Sequence, residues 1–453
     1  MPASQNTSKA ADRSGLHRVV IVGGGAGGLE LATRLGDTLG KRGLAHITLI
    51  EKARSHFWKP HLHEIAAGSM DLHVHATDYL AQSHWHGFRY RVGEMLGLDR
   101  AQRLVHVGPV QDEDGATVTP AYTRGYDTLV MAVGSSTNDF GTPGVAEHAI
   151  ALETPAQAER FHRRLVNACL RAHMQTGPLT PRQLQVAIIG GGATGVELAA
   201  ELHKATRTLV SYNLENIDPE RDIRLNLIEA GPRILPALPE RIADSATKLL
   251  QGLGVQVRTA SRVTGVTAEG VQLASGELLP AELVVWAAGV KAPEFLRDLA
   301  GLETNKLNQL VVGPTLQTTR DEAVFAIGDC AAAPWLGLPA GVAQNVPPRA
   351  QAAHQQASHL AKQILRRIRA QPLKPWHYRD FGSLVSLGEY STVGNLMGSL
   401  IGGNLWVEGL FARTMYLSLY KMHQVALHGY WKTALGSASR LLTRSTEPRV
   451  KLH

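Results

Sequence analysis

The sequence predicts an α/β fold built from two nucleotide-binding units, each a parallel sheet with helices packed on it. Two observations predict it. A glycine-rich segment near the start joins a β-branched run to a helix-favouring run, and a near-copy of that segment recurs in the middle of the chain. The recurrence says more than either copy, because self-similarity within one chain marks a repeated structural unit.

The first copy runs from Arg18 to Ala32. Val19-Val20-Ile21-Val22 reads as a buried strand. Gly23, Gly25 and Gly28 then fit G-x-G-x-x-G before Leu29-Glu30-Leu31-Ala32 opens a helix. The first glycine permits the turn, the second lets backbone approach a pyrophosphate, and the third lets the helix pack on the strand. The helix start presents unpaired N–H groups and its positive dipole end to the phosphates. Ile47-Thr48-Leu49-Ile50-Glu51 reads as the second strand, and Glu51 follows Gly28 by 23 residues. A carboxylate there accepts hydrogen bonds from an adenosine ribose. A merely structural glycine turn would need neither the second strand nor the acid.

The second copy places Gly190, Gly192 and Gly195 after Gln185-Val186-Ala187-Ile188-Ile189, and Arg224-Leu225-Asn226-Leu227-Ile228-Glu229 is again a strand ending in an acid. Two motifs imply two dinucleotide sites and two Rossmann-like domains.

Composition narrows the partners. At 453 residues the chain can hold two or three domains with their own cores. Its net charge of +7 favours anionic partners, either nucleotides or an anionic membrane surface. Nucleic acid is not expected, because base-stacking motifs are absent. Cys169 and Cys330 are the only cysteines and lie far apart, which suggests neither a disulfide framework nor a metal knuckle. His61/His63, His73/His75 and His84/His86 are H-x-H pairs that could share strand faces, but no third ligand stands at a usual spacing, so no metal is expected. No signal-peptide core is seen, and no run reaches the ~18 apolar residues of a transmembrane helix. The expected compartment is the cytoplasm, with surface helices as the route to a membrane.

Along the chain, residues 1–15 are polar and expected to be disordered. Phe57-Trp58-Lys59-Pro60 breaks regularity just past Glu51, where Lys59 can meet a cofactor. Phe88 to Met95 is expected to begin an antiparallel insertion that continues through Arg103 to Val107, and Val92 within it is a further contact candidate. Tyr126 to Ser135 is a buried strand running into small residues, with Ala132 and Gly134 allowing close backbone approach. Residues 153–175 form a crossover helix, and Gly177-Pro178 and Thr180-Pro181 mark a linker. In the second unit, Leu283 to Val290 is the counterpart of the strand around Ala132, and Gly289 takes the place of Gly134.

Thr319 to Cys330 contains a strand ending in Gly328-Asp329. This segment resembles the second FAD signature of the two-dinucleotide-binding-domain flavoproteins, where the aspartate binds the flavin's ribityl chain. By that resemblance Asp329 closes the FAD site. The FAD domain is then discontinuous (16–152 and 301–385), with an NADH domain (153–300) inserted and a membrane-binding region at 386–453.

Four further stretches narrow the resemblance: Trp286-Ala287-Ala288-Gly289-Val290-Lys291, Val346 to Gln355 with A-Q-x-A-x-Q inside it, Asp380-Phe381-Gly382-Ser383-Leu384, and Glu408-Gly409-Leu410. With both glycine motifs, they resemble the type II NADH dehydrogenases from about residue 17 to about 430. The resemblance implies one FAD, NADH as donor, a quinone acceptor, no proton pumping, and peripheral attachment to the cytoplasmic face of a bacterial inner membrane. The residues agree. Hydride transfer from a nicotinamide needs a two-electron acceptor that side chains cannot supply and a flavin can. A disulfide reductase or a sulfide:quinone reductase would need reactive cysteines that are missing here. Glu229 favours NADH over NADPH, because a carboxylate binds a 2′-OH and repels a 2′-phosphate; Arg233 could soften that preference.

Three site expectations follow. In the resembling family the acid at Glu197 lies near flavin and nicotinamide, but Thr194 to Glu197 also fits the T-x-x-E capping box, and both readings stand. Proline at Pro347-Pro348 is expected to start a helix reaching about Arg369, with Gln351 and Gln355 on one face to bond quinone carbonyls or the flavin edge. Trp431, Leu435, Ala438 and Leu442 share a helical face, with Lys432, Arg440, Arg444, Arg449 and Lys451 supplying charge for an anionic surface. The rival partner for that face is the protein itself or a second copy in a homodimer. Two rival functions are a soluble NADH-dependent reductase of a small redox protein and a flavin-binding protein whose NADH response is an interaction.

Overall fold

The computed structural model describes residues 15–339, 344–387, 390–396, 405–408, 410–443 and 450–451. All but Gly15 of the tail expected at 1–15, together with Gly409 and the basic positions Arg444 and Arg449, lies outside them.

Each glycine segment builds the unit expected of it. In the first, strands Gln317–Thr318, Asp321–Ala326, Thr128–Met131, His17–Val22, Ala45–Glu51 and Arg89–Val92 lie side by side in that order. All pairings are parallel except that of Gln317–Thr318. The strand order reverses beside His17–Val22, so the crevice at the strands' carboxyl ends opens over Gly23. The central strands are mostly apolar on both faces and buried over Val19–Val22, Ile47–Ile50 and Thr128–Met131, as a parallel sheet covered on two sides requires. Helices Ala26–Leu35 and Ala350–Ile368 pack together on it.

The second unit has five parallel strands in the order Ile150–Ala151, Leu283–Trp286, Gln185–Ile189, Arg224–Ile228 and Gln256–Arg258. Helix Ala193–Val210 follows its glycine loop. Crossover helix Pro155–Met174 matches its expected bounds and opens with a capping box between Thr154 and Gln157. The units are tied by antiparallel pairing of Ser136–Thr137 with Val290–Lys291, and by the Trp286 indole donating to the Asn138 carbonyl at 3.0 Å.

Several expectations need correction. Arg89–Val92 is not antiparallel: it joins the parallel sheet beside Ala45–Glu51, because Leu49 and Tyr90 can then bury into one core. The antiparallel meander comes after it, as Met95–Asp99, Leu104–Val107 and Tyr122–Gly125. The H-x-H pairs lie on short helical segments rather than strands. Proline does not occupy the first turn of Ala350–Ile368; Arg349 stands at its N-cap in extended backbone, and both prolines precede it.

At the C-terminal end, Ser383–Leu387, Ser391–Leu396 and Leu405–Glu408 form an antiparallel sheet. Helix Leu410–His428 docks through Tyr420, His423 and Leu427. In helix Tyr430–Thr443 the expected face is open to solvent: Trp431 is 90% exposed, Leu435 74% and Leu442 81%. Lys451 does not extend that basic surface. Its ammonium pairs with Asp71 at 3.2 Å and its carbonyl accepts from the His162 ring at 2.6 Å, while Val450 is buried beside them.

Candidate functional site

The first glycine loop is a cradle that excludes side chains on the protein side and leaves room on the other. Gly23 has φ +101°, and a Cβ there would sit 2.3 Å from the Ala132 carbonyl oxygen; one on Gly28 would sit 1.9 Å from the Gly23 carbonyl oxygen. Neither position admits a side chain. A Cβ on Gly25 or Gly134 would meet nothing within 4 Å. Glu51 accepts the Gly24 N–H at 2.6 Å and the Ala53 N–H at 3.0 Å, so the acid rims the cradle, with Val92 beside it at the strand end. Across the crevice the Ser135 hydroxyl donates to Asp329 at 2.8 Å, and the Lys59 ammonium donates to the Ser135 carbonyl at 3.2 Å. Burial raises the Asp329 carboxyl pKa, while Ser135 and Lys59 pull it down. These groups line one crevice, and its open glycine positions and polar rim fit a dinucleotide. Ser135 joins it unannounced; its only signal in the sequence is its place among small residues after a buried strand.

The second loop repeats this geometry. Gly190 has φ +113°, with a Cβ there 2.7 Å from the Ala288 nitrogen, and a Cβ on Gly195 would lie 2.0 Å from the Gly190 carbonyl oxygen. Gly192 is open. Glu229 accepts the Gly191 and Gly231 N–H groups, both at 2.7 Å. Arg233 is tied to its own loop, donating to the Leu238 and Pro236 carbonyls. Gly289, at φ +67°, packs under the Phe140 ring and accepts from the Asn138 N–H.

Glu197 does not close a capping box. Its helix begins at Ala193 with Gly192 at the N-cap, so Thr194 is already inside the helix and cannot cap it. The Glu197 carboxylate instead accepts the Ser386 N–H at 3.0 Å and lies 3.6 Å from His63 Nδ1. His63 Nε2 stands 3.9 Å from Glu64, and the His61 ring donates to Glu64 at 2.5 Å. Burial lowers the His63 pKa to about 4, so the ring is neutral near pH 7. The sequence carries these residues in plain view as H-x-H-E. Only the fold brings them to Glu197, because helix Leu62–Ala67 packs against Ala193–Val210.

Gln351 and Gln355 do share a helix face, and both amides are engaged there. Gln351 donates to the Gly382 carbonyl at 2.9 Å and to Asp380, and accepts the Phe381 N–H; Gln355 exchanges two hydrogen bonds with the Arg379 backbone. They clamp segment 379–382. The glutamine turned toward the first cradle is Gln356, which is buried and accepts the Gly328 N–H at 2.7 Å. Sequence spacing did not single it out.

Cys169 and Cys330 are both buried, and burial raises each thiol to about 12, which keeps them from forming a reactive thiolate.

Two glycine cradles, each rimmed by an acid and opening at strand ends, define a two-nucleotide α/β oxidoreductase. Residues 17–357 match the pyridine nucleotide-disulphide oxidoreductase family. Over 97% of its length the chain is 42% identical to the type II NADH:quinone oxidoreductase of Haemophilus influenzae, all of which it covers. In fold it is similar to NDH2 from Plasmodium falciparum in complex with NADH (TM-score 0.79, 19% identity, 96% and 99% of the two chains). It is also similar in fold to the sulfide:quinone oxidoreductase of Aquifex aeolicus (TM-score 0.68, 18% identity, 95% of each chain). The chain belongs to the type II NADH:quinone oxidoreductases. It is an enzyme, and the class moves electrons from NADH to a quinone through a flavin without pumping protons.

Proposed function

We propose that the first cradle holds FAD and the second NADH, and that electrons leave for a quinone drawn from a membrane surface. The observation that carries this is the pair of matched glycine cradles, each rimmed by an acid, in units joined by the pairing of Ser136–Thr137 with Val290–Lys291. Bound FAD supplies the two-electron acceptor that no side chain can. Gly23, Gly25, Gly28 and Glu51 take its adenosine diphosphate end, Lys59, Val92, Ala132 and Gly134 line the flavin side, and Asp329 accepts from the ribityl chain. Gly190, Gly192, Gly195, Glu229 and Gly289 take NADH, with Glu229 selecting the 2′-OH. Glu197 serves the reacting end. Gln351 and Gln355 act on the quinone by holding segment 379–382 in place rather than by direct bonds.

For the membrane, helix Tyr430–Thr443 lays its exposed Trp431, Leu435 and Leu442 face on the anionic cytoplasmic surface of a bacterial inner membrane, with Lys432 at the headgroups. Each surface lysine adds about 1 kcal/mol of attraction. A homodimer covering the same face is the competing reading.

The test is steady-state NADH oxidation with and without a short-chain quinone. Quinone-dependent turnover is expected; turnover indifferent to quinone but strong with a small redox protein would overturn the reading. Co-sedimentation of Leu435→Ser with anionic vesicles should fall, whereas unchanged binding and a shift from dimer to monomer would favour the second copy.

A further inference from the structure

We propose that Glu64, His63 and Glu197 form a proton path from solvent to the reacting end of the flavin site, with His63 as the middle carrier. The path rests on the NADH-to-quinone reading above, and deepens it by naming where the solvent proton enters.

The three groups stand in line across the junction of three elements. The Glu64 side chain is 23% exposed and forms the outer end, whereas those of His63 and Glu197 are 4% and 8% exposed. His63 presents one ring nitrogen to each carboxyl, Nε2 toward Glu64 at 3.9 Å and Nδ1 toward Glu197 at 3.6 Å. These are ion-pair separations, longer than hydrogen bonds; catalytic hydrogen bonds are often long before substrate binds. At the outer end the His61 ring, packed edge-on against Tyr420, holds Glu64 by a 2.5 Å bond. At the inner end the Ser386 N–H fixes the other oxygen of Glu197. The same short stretch begins at Lys59, which reaches Ser135 beside Asp329, so it runs from the first cradle to the helix of the second.

The chemistry requires such a path. NADH, one proton and a quinone give NAD⁺ and a quinol. The hydride brings two electrons and one of the two hydrogens, and the other hydrogen comes from water. Glu197 gives its proton to a quinone oxygen and is reprotonated from His63 Nδ1. His63 takes a proton at Nε2 from Glu64, and Glu64 takes one from water. The starting tautomer is then restored by loss of the Nε2 proton and uptake of one at Nδ1, which leaves the net proton count unchanged. A ring that stays neutral in the resting state is suited to this, because it can accept at one nitrogen and donate at the other. Among the described residues, the groups facing His63 are Glu64, His61 and the Pro60 carbonyl on its own segment and Glu197 on the packed helix.

The test uses the full FAD-loaded chain with His63→Gln, His63→Ala and Glu64→Gln. Turnover is measured with a short-chain quinone, which takes up protons, and with ferricyanide, which takes electrons alone. The quinone-to-ferricyanide rate ratio should fall about tenfold in each variant. The solvent deuterium isotope effect should rise with quinone only, and free imidazole should restore part of the ratio in His63→Ala. A second readout is independent of turnover: in protein carrying ¹⁵N-histidine, the tautomer of the His63 ring should change in Glu64→Gln and in Glu197→Gln. A parallel fall with both acceptors, without rescue or isotope effect, would overturn the path and leave His63 as a packing residue. A ring tautomer indifferent to both glutamine variants would overturn it as well. Absence of quinone-dependent turnover in the unaltered protein would instead sink the parent reading.

Discussion

Glu30 and Glu197 occupy the same place in the two glycine motifs, two residues after the third glycine, and the fold gives them opposite work. Glu30 is fully buried. It accepts from Arg34 at 2.8 Å, from the His354 ring at 2.6 Å and from Ser358 at 3.2 Å, and so bolts helix Ala26–Leu35 to helix Ala350–Ile368. Glu197 accepts the Ser386 N–H at 3.0 Å and lies 3.6 Å from the flank of a neutral histidine. The motif fixes where the carboxyl stands relative to its loop. What packs against the helix decides which partners that carboxyl meets. Glu51 and Glu229 show the opposite case: each holds its own loop by two N–H groups, and the units match there because both partners lie within the same β-α-β unit.

Substituting the third glycines should break the comparison most severely. A Cβ would lie 1.9 Å from a carbonyl oxygen in Gly28→Ala and 2.0 Å in Gly195→Ala, both backbone contacts that cannot give way cheaply. Gly28→Ala is expected to purify without flavin, whereas Gly195→Ala should keep its flavin and lose NADH affinity at least tenfold. Flavin absorbance per chain and NADH titration measure the two. If both variants lose flavin alike, the units are not independent sites.

The two acids should separate next. Glu30→Gln breaks a buried charged network and should lower stability by about 3 kcal/mol, read as an earlier denaturant midpoint with the rate per folded molecule retained. Glu197→Gln should keep the midpoint nearly unchanged and slow quinone reduction. Equal stability losses would mean that Glu197 is also a bolt.

The smallest effect sharpens the comparison through pH. His56 and His63 are buried, and burial lowers each to about 4 against 6.5 when unfolded. Below pH 6.5 the unfolded chain takes up protons that the folded rings refuse. Stability is therefore full above 6.5 and falls as pH drops toward 4, by about 1.4 kcal/mol for each histidine at pH 5.5. Urea midpoints at pH 7.5 and 5.5 should show the loss, to which the buried His203 and His423 add, and His63→Gln should remove about 1.4 kcal/mol of it. A midpoint independent of pH would mean that the rings charge in place.

Legibility in the sequence follows the same division. Gly23, Gly190, Glu51 and Glu229 could be read directly, because their partners lie within a single β-α-β unit. Asp329 could be read only by family resemblance, since the strand that leads to its turn joins the first sheet after the second unit has intervened in the chain. Ser135, His63 and Gln356 could not be placed, because each meets its partner across an interface that no local period encodes. Gln351 shows a limit of another kind: periodicity gave its face correctly, but the segment covering that face, 379–382, leaves no signature in the helix itself. Lys451 was misplaced for the same reason, its partner Asp71 being remote in sequence.

Anaerobic double mixing tests the central claim most directly. One equivalent of NADH is added first, a short-chain quinone second, and flavin absorbance is followed throughout. The account predicts full loss of the oxidised flavin band on the first mix and its full return on the second, with one quinol formed per NADH. A band that bleaches but does not return with quinone, or quinol formed while the flavin stays oxidised, would contradict it.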